Sequence, residues 1–102
     1  MASSPEYLEY VLDLLSDVEG VSTRKMMGEY LVYASGKLVG GVYDDRFLVK
    51  ATDASRSALS VAEVPYEGAS EMMLVDMEDK SAVAALVTDM LPDLPEPRKR
   101  RR

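Results

Sequence analysis

Apolar residues recur at two different periods along the chain, and the change of period separates a helical part from an extended part. In the first twenty residues they return every three or four positions, the spacing of one helix face, at Leu8, Val11, Leu12, Leu15 and Val18. Ser4 can cap this helix, and Pro5 suits the first helical position because its missing N–H has no intrahelical partner there. The pattern predicts an N-terminal helix that stops by Gly20.

From Ser22 the apolar period falls to two, which indicates β-strands. Four short runs are separated by breaks of two residues that contain Gly or Asp, a pattern typical of tight hairpins. The runs cover 23–27, 30–34, 37–43 and 46–51, and the breaks are Gly28-Glu29, Ser35-Gly36 and Asp44-Asp45. Because short connections join neighbouring antiparallel strands, these runs predict a meander of about four strands.

The second half of the chain predicts a short middle helix, a fifth strand and a C-terminal helix. The middle helix or turn covers 52–62 with Asp53 as its cap, a loop covers 64–68, and the fifth strand lies within 70–77. Asp79 caps the last helix and Pro92 ends it; its apolar stripe is Val83, Leu86, Val87, Met90 and Leu91. The fold class is therefore α+β, with a single domain at 1–92 and a Pro- and Arg-rich tail at 93–102 that we expect to be disordered.

Ideal two-residue hairpins predict a strand register, and the register assigns side chains to the two faces of the sheet. One face is almost wholly apolar and is expected to hold the helices: Arg24, Met26, Leu31, Tyr33, Leu38, Val42, Phe47 and Val49. The other face gathers four of the seven cations of residues 1–97 among tyrosines and valines. Its candidate interaction residues are Lys25, Tyr30, Lys37, Tyr43, Arg46 and Lys50. Gly40-Gly41 indicates a β-bulge or the close approach of another backbone.

The mixed face has two interpretations. It can be a docking surface for a protein partner, a second copy of the chain or an acidic ligand. It can equally be a solvated face on which the stems of Lys and Arg cover apolar neighbours.

Composition removes several classes of chemistry. The chain has no Cys and no His, which excludes thiolate nucleophiles, disulfides, imidazole bases and the commonest zinc ligands. The acidic pairs lack the spacing of a calcium loop, and no glycine motif lies between a strand and a helix to hold phosphate. We expect no catalytic residues, no metal and no cofactor. The absence of an 18-residue apolar run and of a signal-peptide pattern predicts a cytoplasmic protein that does not span a membrane.

Charge is distributed unevenly. The net charge is −6, but five of the twelve basic residues form the last five positions: Arg98, Lys99, Arg100, Arg101 and Arg102. Residues 1–97 carry 7 basic and 18 acidic side chains, a net charge of −11. Such a body is a poor nucleic-acid binder, whereas the basic tail could contact phosphates or another acidic surface.

One segment carries a family resemblance. Residues 24–33 read Arg-Lys-Met-Met-Gly-Glu-Tyr-Leu-Val-Tyr, followed by Gly-Lys-Leu at 36–38, Phe-Leu-Val-Lys at 47–50 and a Tyr-Glu-Gly loop at 66–68. The order and spacing of these segments resemble the N-terminal domain of the TfoX/Sxy family over roughly Leu8 to Leu91. Met27 stands where the family pattern has Phe, and Leu74-Val75-Asp76 replaces an aromatic-rich strand.

The resemblance implies an α+β fold with a central antiparallel sheet and no known catalytic residues. Named members are regulators of natural competence in bacteria and carry a C-terminal helical domain, which this chain is expected to lack. Arg24, Lys25, Gly28 and Lys50 match the family pattern, which assigns no role to them.

The leading hypothesis is a non-enzymatic regulatory or adaptor domain that acts through protein contact, with an unidentified partner or with a second copy. The alternative is a nucleic-acid-associated protein that uses the basic tail together with the cations of the mixed face. A third hypothesis is a small-ligand or anion-binding module with a pocket between the last helix and the sheet, lined by Arg24 and a tyrosine.

Overall fold

The structure is a computed structural model and describes residues 3–26 and 29–95. Within these residues three α-helices accompany six strands that all pair antiparallel, which confirms the α+β class. In chain order they are α1 (Pro5–Leu14), β1 (Val21–Met26), β2 (Glu29–Ala34), β3 (Lys37–Val42), β4 (Phe47–Lys50), α2 (Asp53–Ala58), β5 (Ala62–Glu63), β6 (Met72–Leu74) and α3 (Lys80–Met90).

The strands form one antiparallel sheet in the order β1-β2-β3-β4-β6-β5. The predicted meander is its first four strands, and the predicted fifth strand is β6. The two-residue strand β5 was not predicted, because Ala62–Glu63 is too short for any alternation of apolar and polar residues to be visible. One face of the sheet packs against helices α1 and α3. The core between them includes Val11, Leu15, Val32, Phe47, Val83 and Val87.

The helix starts follow from local hydrogen bonding. The Ser4 side chain accepts a hydrogen bond from the N–H of Tyr7, and the Asp79 side chain accepts one from the N–H of Ser81, so both predicted caps are confirmed. The predicted cap of α2 is wrong by one residue. Thr52, not Asp53, is the cap, because Thr52 and Ser55 satisfy each other's backbone N–H groups in a capping box.

Two of the three predicted hairpin turns are confirmed. Both residues of Ser35-Gly36 have positive φ (53° and 81°), and so do both of Asp44-Asp45 (53° and 58°), as a type I′ turn requires. Met27 and Gly28 of the first connection lie outside the described residues. Glu29 already pairs with Met26, so Lys25 opposes Tyr30 rather than Val32 as predicted.

A β-bulge at Val39 changes the register between β2 and β3. Tyr33 opposes Leu38 on the turn side, whereas Val32 opposes Gly40 beyond the bulge. The predicted bulge or close approach at Gly40-Gly41 is thereby confirmed. A Cβ atom on Gly40 would lie 2.1 Å from the carbonyl oxygen of Leu48, so only glycine fits.

The bulge also corrects the predicted faces. Because β3 contains one extra residue, Val42 lies opposite Tyr30 and on the same side of the sheet. Without the bulge, Val42 would lie on the same side as Leu31. The helix-facing side therefore joins Val42 and Phe47 with Tyr30 and Val32, all of which are buried. Five residues that were predicted to face the helices lie on the opposite side of the sheet: Arg24, Met26, Leu31, Tyr33 and Leu38.

Beyond α3 the chain continues as a 3₁₀ turn at Leu91–Asp93, and Leu94 packs into the core. The predicted nucleic-acid tail, Arg98–Arg102, lies outside the described residues. Its disorder therefore stays a prediction.

Two glycine substitutions test the bulge. We expect Gly40→Ala to lower the free energy of unfolding by more than the roughly 1–3 kcal/mol of ordinary overpacking, because its Cβ meets backbone that cannot move aside. Gly68 has φ +88° but open space around it, so Gly68→Ala should cost only the backbone strain, about 1–2 kcal/mol. Urea unfolding of both variants makes the comparison. Equal losses would contradict the packed bulge.

Candidate functional site

The six predicted interaction residues do not share one face. Directly opposed residues of antiparallel strands point to the same side of a sheet. Lys25 opposes the buried Tyr30, and Lys37 opposes Ala34, so these three residues lie on the helix-covered side. The ammonium group of Lys37 donates a 2.8 Å hydrogen bond to the carbonyl oxygen of Leu91, after the end of α3. The prediction of a common face is wrong because it missed the bulge in β3, which moves Tyr43, Arg46 and Lys50 to the other side of the sheet from Lys25, Tyr30 and Lys37.

The remaining three, Tyr43, Arg46 and Lys50, belong to the side of the sheet opposite α1 and α3, here called the open face. Leu31 and Tyr33 of β2 lie on the same side and are only half-buried. The loop from Val64 to Glu71, which connects β5 to β6, folds across part of this face. The open face is thus the part of the sheet available for binding.

Two tyrosines stand at the centre of the open face. The Tyr43 ring lies over Gly41, where an added Cβ would come within 2.8 Å of the ring. The Tyr66 ring, from the loop, meets it with 6.2 Å between ring centroids and 57° between planes. Together they divide the face into two concave regions.

The larger region is a groove of about 720 Å³ between the sheet, α2 and the loop. Its charged and hydroxyl-bearing lining residues are Tyr43, Lys50, Arg56, Tyr66, Ser70 and Glu71. The smaller region holds about 340 Å³ and is lined by Met26, Glu29, Leu31, Tyr43 and Tyr66. Neither region lies between the last helix and the sheet, and Arg24 lines neither of them, so neither is the pocket that the third hypothesis expects.

Arg46 has a structural role beside these regions. Its guanidinium group is ion-paired with Glu63 and also donates to the carbonyl oxygens of Tyr43 (3.2 Å) and Pro65 (3.3 Å). These bonds tie the start of the loop to the β3–β4 hairpin. Arg46 therefore fixes the wall of the groove and has little capacity left for a ligand.

Three other cations on or beside the open face differ from Arg46. Lys50 and Arg56 line the groove, and Arg24 opposes Leu31 at the rim. None of the three side chains has a hydrogen bond or ion pair with another described residue. The carboxylate of Glu71 lines the same groove. Within the larger groove Lys50 and Arg56 face a single lining carboxylate, Glu71, so these two cations can contact an anion there.

Glu29, in the smaller region, is already engaged. Its carboxylate accepts hydrogen bonds from the Ser3 hydroxyl (2.9 Å) and the Asp44 N–H (3.2 Å). The Ser3 hydroxyl in turn accepts a bond from the N–H of Asp45. This network supports the Asp44-Asp45 turn, whose two residues have positive φ. The other residues that line the smaller region are Met26, Leu31 and the two tyrosines.

Two tyrosine hydroxyls have shifted pKa values. Burial raises the pKa of Tyr43 above its ordinary value of 10.0, and repulsion by Tyr66, Glu29 and Tyr33 adds to the shift. Burial also raises the pKa of Tyr7, although a backbone hydrogen bond at Phe47 opposes it. Both hydroxyls therefore stay protonated at neutral pH.

Sequence reasoning missed Tyr66 and Arg56 as site residues. Tyr66 was visible only as part of the Tyr-Glu-Gly loop, and Arg56 had no pattern at all. The loop and α2 reach the groove through tertiary folding, so local sequence carried no signal of their proximity.

The described residues contain neither a metal-binding cluster nor a membrane-spanning helix. No group of three or more acidic side chains in the described residues is arranged to hold a metal ion. None of the helices within 3–26 and 29–95 has the length and apolar character needed to cross a bilayer.

Comparison with known proteins identifies the class and then the family. The fold is that of a small α+β domain, and residues 13–86 match the family model described as the TfoX N-terminal domain. The chain belongs to this family, which is associated with competence regulation.

A relative of similar length agrees with this assignment. An "Uncharacterized 12.7 kDa protein in trpE 5'region" from Spirochaeta aurantia is 32% identical over 105 residues, covering 99% of this chain and 91% of the relative. No solved structure matches the chain.

The pH dependence of stability tests the burial of the two tyrosines. Because their pKa values are raised in the fold, the folded state binds more protons than the unfolded state above about pH 10. Their stabilising effect is complete below that pH and is lost as the pH rises through the folded-state pKa. Urea unfolding between pH 8 and 11 should show a steeper alkaline loss for the wild type than for the Tyr7→Phe/Tyr43→Phe variant. Identical slopes would contradict the assignment.

Proposed function

We propose that the domain is a non-enzymatic regulatory or adaptor module that binds a partner protein through its open face. The observation that carries this proposal is the groove beside the Tyr43–Tyr66 pair, on the sheet face opposite α1 and α3. Tyrosine, methionine and arginine are enriched in protein interfaces, and all three types border this site.

Exposure supports the open face as the contact surface. Tyr66 is 63% exposed and Met26 is 49% exposed, so neither side chain gains full burial from the fold. A partner that covers them would bury apolar area that is now in water, which favours association.

The chemistry of the groove supports binding rather than catalysis. The chain has no His or Cys, and the raised pKa of Tyr43 keeps its hydroxyl protonated and unsuited to act as a base. Membership of a regulatory family supports the same conclusion. The proposal includes a cytoplasmic location for the domain and its partner.

A second candidate function is nucleic-acid binding through the basic tail. Its support is the run of five basic residues at Arg98–Arg102. It differs from the first proposal in that binding should weaken steeply with salt and disappear when the tail is deleted.

Quantitative affinity capture from the native cell tests the proposal. Tyr66→Ser/Met26→Ser should reduce recovery of the captured proteins at least tenfold, because it removes exposed contact area from the open face. Tyr10→Ser/Leu12→Ser is the matched control, since both side chains are exposed on α1 and lie away from the groove.

Retention of the same proteins by both variants would contradict an open-face contact. Capture of nucleic acid that depends on Arg98–Arg102 and is unchanged by Tyr66→Ser/Met26→Ser would favour the second candidate instead.

A further inference from the structure

We infer that the occupant of the open face is an extended acidic segment of a partner protein, with a large apolar side chain three or four residues away from a carboxylate. This inference rests on the proposed function and specifies the chemistry of the partner. Three features of the face lead to it: an apolar end, a cationic end and the distance between them.

The apolar end is the smaller region beside β2. Met26, Leu31 and the two tyrosine rings form its walls. Its one carboxylate, Glu29, is already satisfied by Ser3 and Asp44. An acidic side chain inside this region would lose water and have only the rim residue Arg24 near it, so the interior favours an apolar group.

The cationic end lies across the tyrosine pair, in the larger groove. Lys50 and Arg56 project there without partners among the described residues, and Arg24 lies at the opposite rim. Residues 1–97 contain seven cations, and four of them, Arg24, Arg46, Lys50 and Arg56, lie on or beside the open face. In the larger groove the lining residues include one carboxylate, Glu71, against Lys50 and Arg56, so this end of the face attracts a carboxylate locally.

The sheet register gives the separation of the two ends. Leu31 opposes Gly41, and Gly41 opposes Leu48, so Leu31 and Leu48 are two strand spacings apart, about 10 Å. Lys50 is two residues further along β4, about 7 Å away. The diagonal from Leu31 to Lys50 is therefore about 12 Å, which an extended peptide at roughly 3.3 Å per residue spans in three to four residues.

Other occupants fit less well. In a symmetric dimer through the groove, Lys50 and Arg56 of one copy would come close to the same residues of the other, and like charges repel. An inorganic anion would satisfy Lys50 and Arg56 but would leave the apolar region exposed to water.

Fluorescence anisotropy with labelled ten-residue peptides provides the test. The probe carries one Leu and, four residues later, an Asp pair in a Gly/Ser background. The first comparison peptide has the Asp pair next to the Leu, and the second has Lys in place of Asp. We expect the spaced acidic peptide to bind at least tenfold more tightly than either comparison peptide.

Charge reversal on the protein provides the complementary comparison. Lys50→Glu/Arg56→Glu should weaken binding of the spaced peptide at least tenfold. Lys25→Glu/Lys80→Glu changes the net charge equally but lies away from the groove, so it should leave tight binding in place. Because the peptide comparisons use the unmodified protein, they remain decisive even if a variant is unstable.

Several outcomes would overturn the inference. They are equal binding of all three peptides, equal loss in both charge-reversal variants, self-association that Lys50→Glu/Arg56→Glu abolishes, or binding of an oligothymidylate at Lys50 and Arg56 in preference to the peptide. Failure of the peptides while Tyr66→Ser/Met26→Ser still abolishes capture would reject the acidic segment and leave the proposed function intact. Unchanged capture would reject the proposed function itself.

Discussion

The close approach of Gly40 to the backbone of β4 is the constraint on which the rest of the structure depends. The carbonyl oxygen of Leu48 occupies the space where any other residue would place its Cβ. The same segment of β3 holds the extra residue Val39, which changes the register toward β2. Since side chains alternate along a strand, that single residue decides which side of β2 enters the core. It buries Tyr30 and Val32 and leaves Leu31 and Tyr33 for the open face.

The two faces then acquire different roles. Helices α1 and α3 cover one face and complete the core with Val11, Val83 and their neighbours. The other face is bordered by a loop that Arg46 ties to the β3–β4 hairpin. The chain belongs to the TfoX N-terminal family, which is associated with competence regulation. The acidic character of the whole chain hides the fact that most cations of residues 1–97 lie on or beside this one surface.

Local sequence predicted the features that depend on local forces. The caps at Ser4 and Asp79, the turns at Ser35-Gly36 and Asp44-Asp45, and the order of the elements all follow from nearby residues. The β1–β2 register could not be obtained this way, because the pairing of Lys25 with Tyr30 depends on contacts made by the whole sheet. The bulge was visible as a glycine pair, but its effect on the faces was not. For the same reason Tyr66 and Arg56, which reach the groove from distant segments, were not predicted as neighbours of Lys50.

The register of β2 and β3 is therefore the quantity to measure. Nuclear Overhauser effects between backbone protons of the two strands report it directly in solution. The bulged register predicts cross-strand contacts between Tyr30 and Val42 and between Val32 and Gly40, with Tyr33 opposite Leu38 near the turn. Contacts of Tyr30 with Gly41 and of Val32 with Val39 would mean an unbulged hairpin. In that case Leu31 and Tyr33 would belong to the core, and the open face described above would not exist.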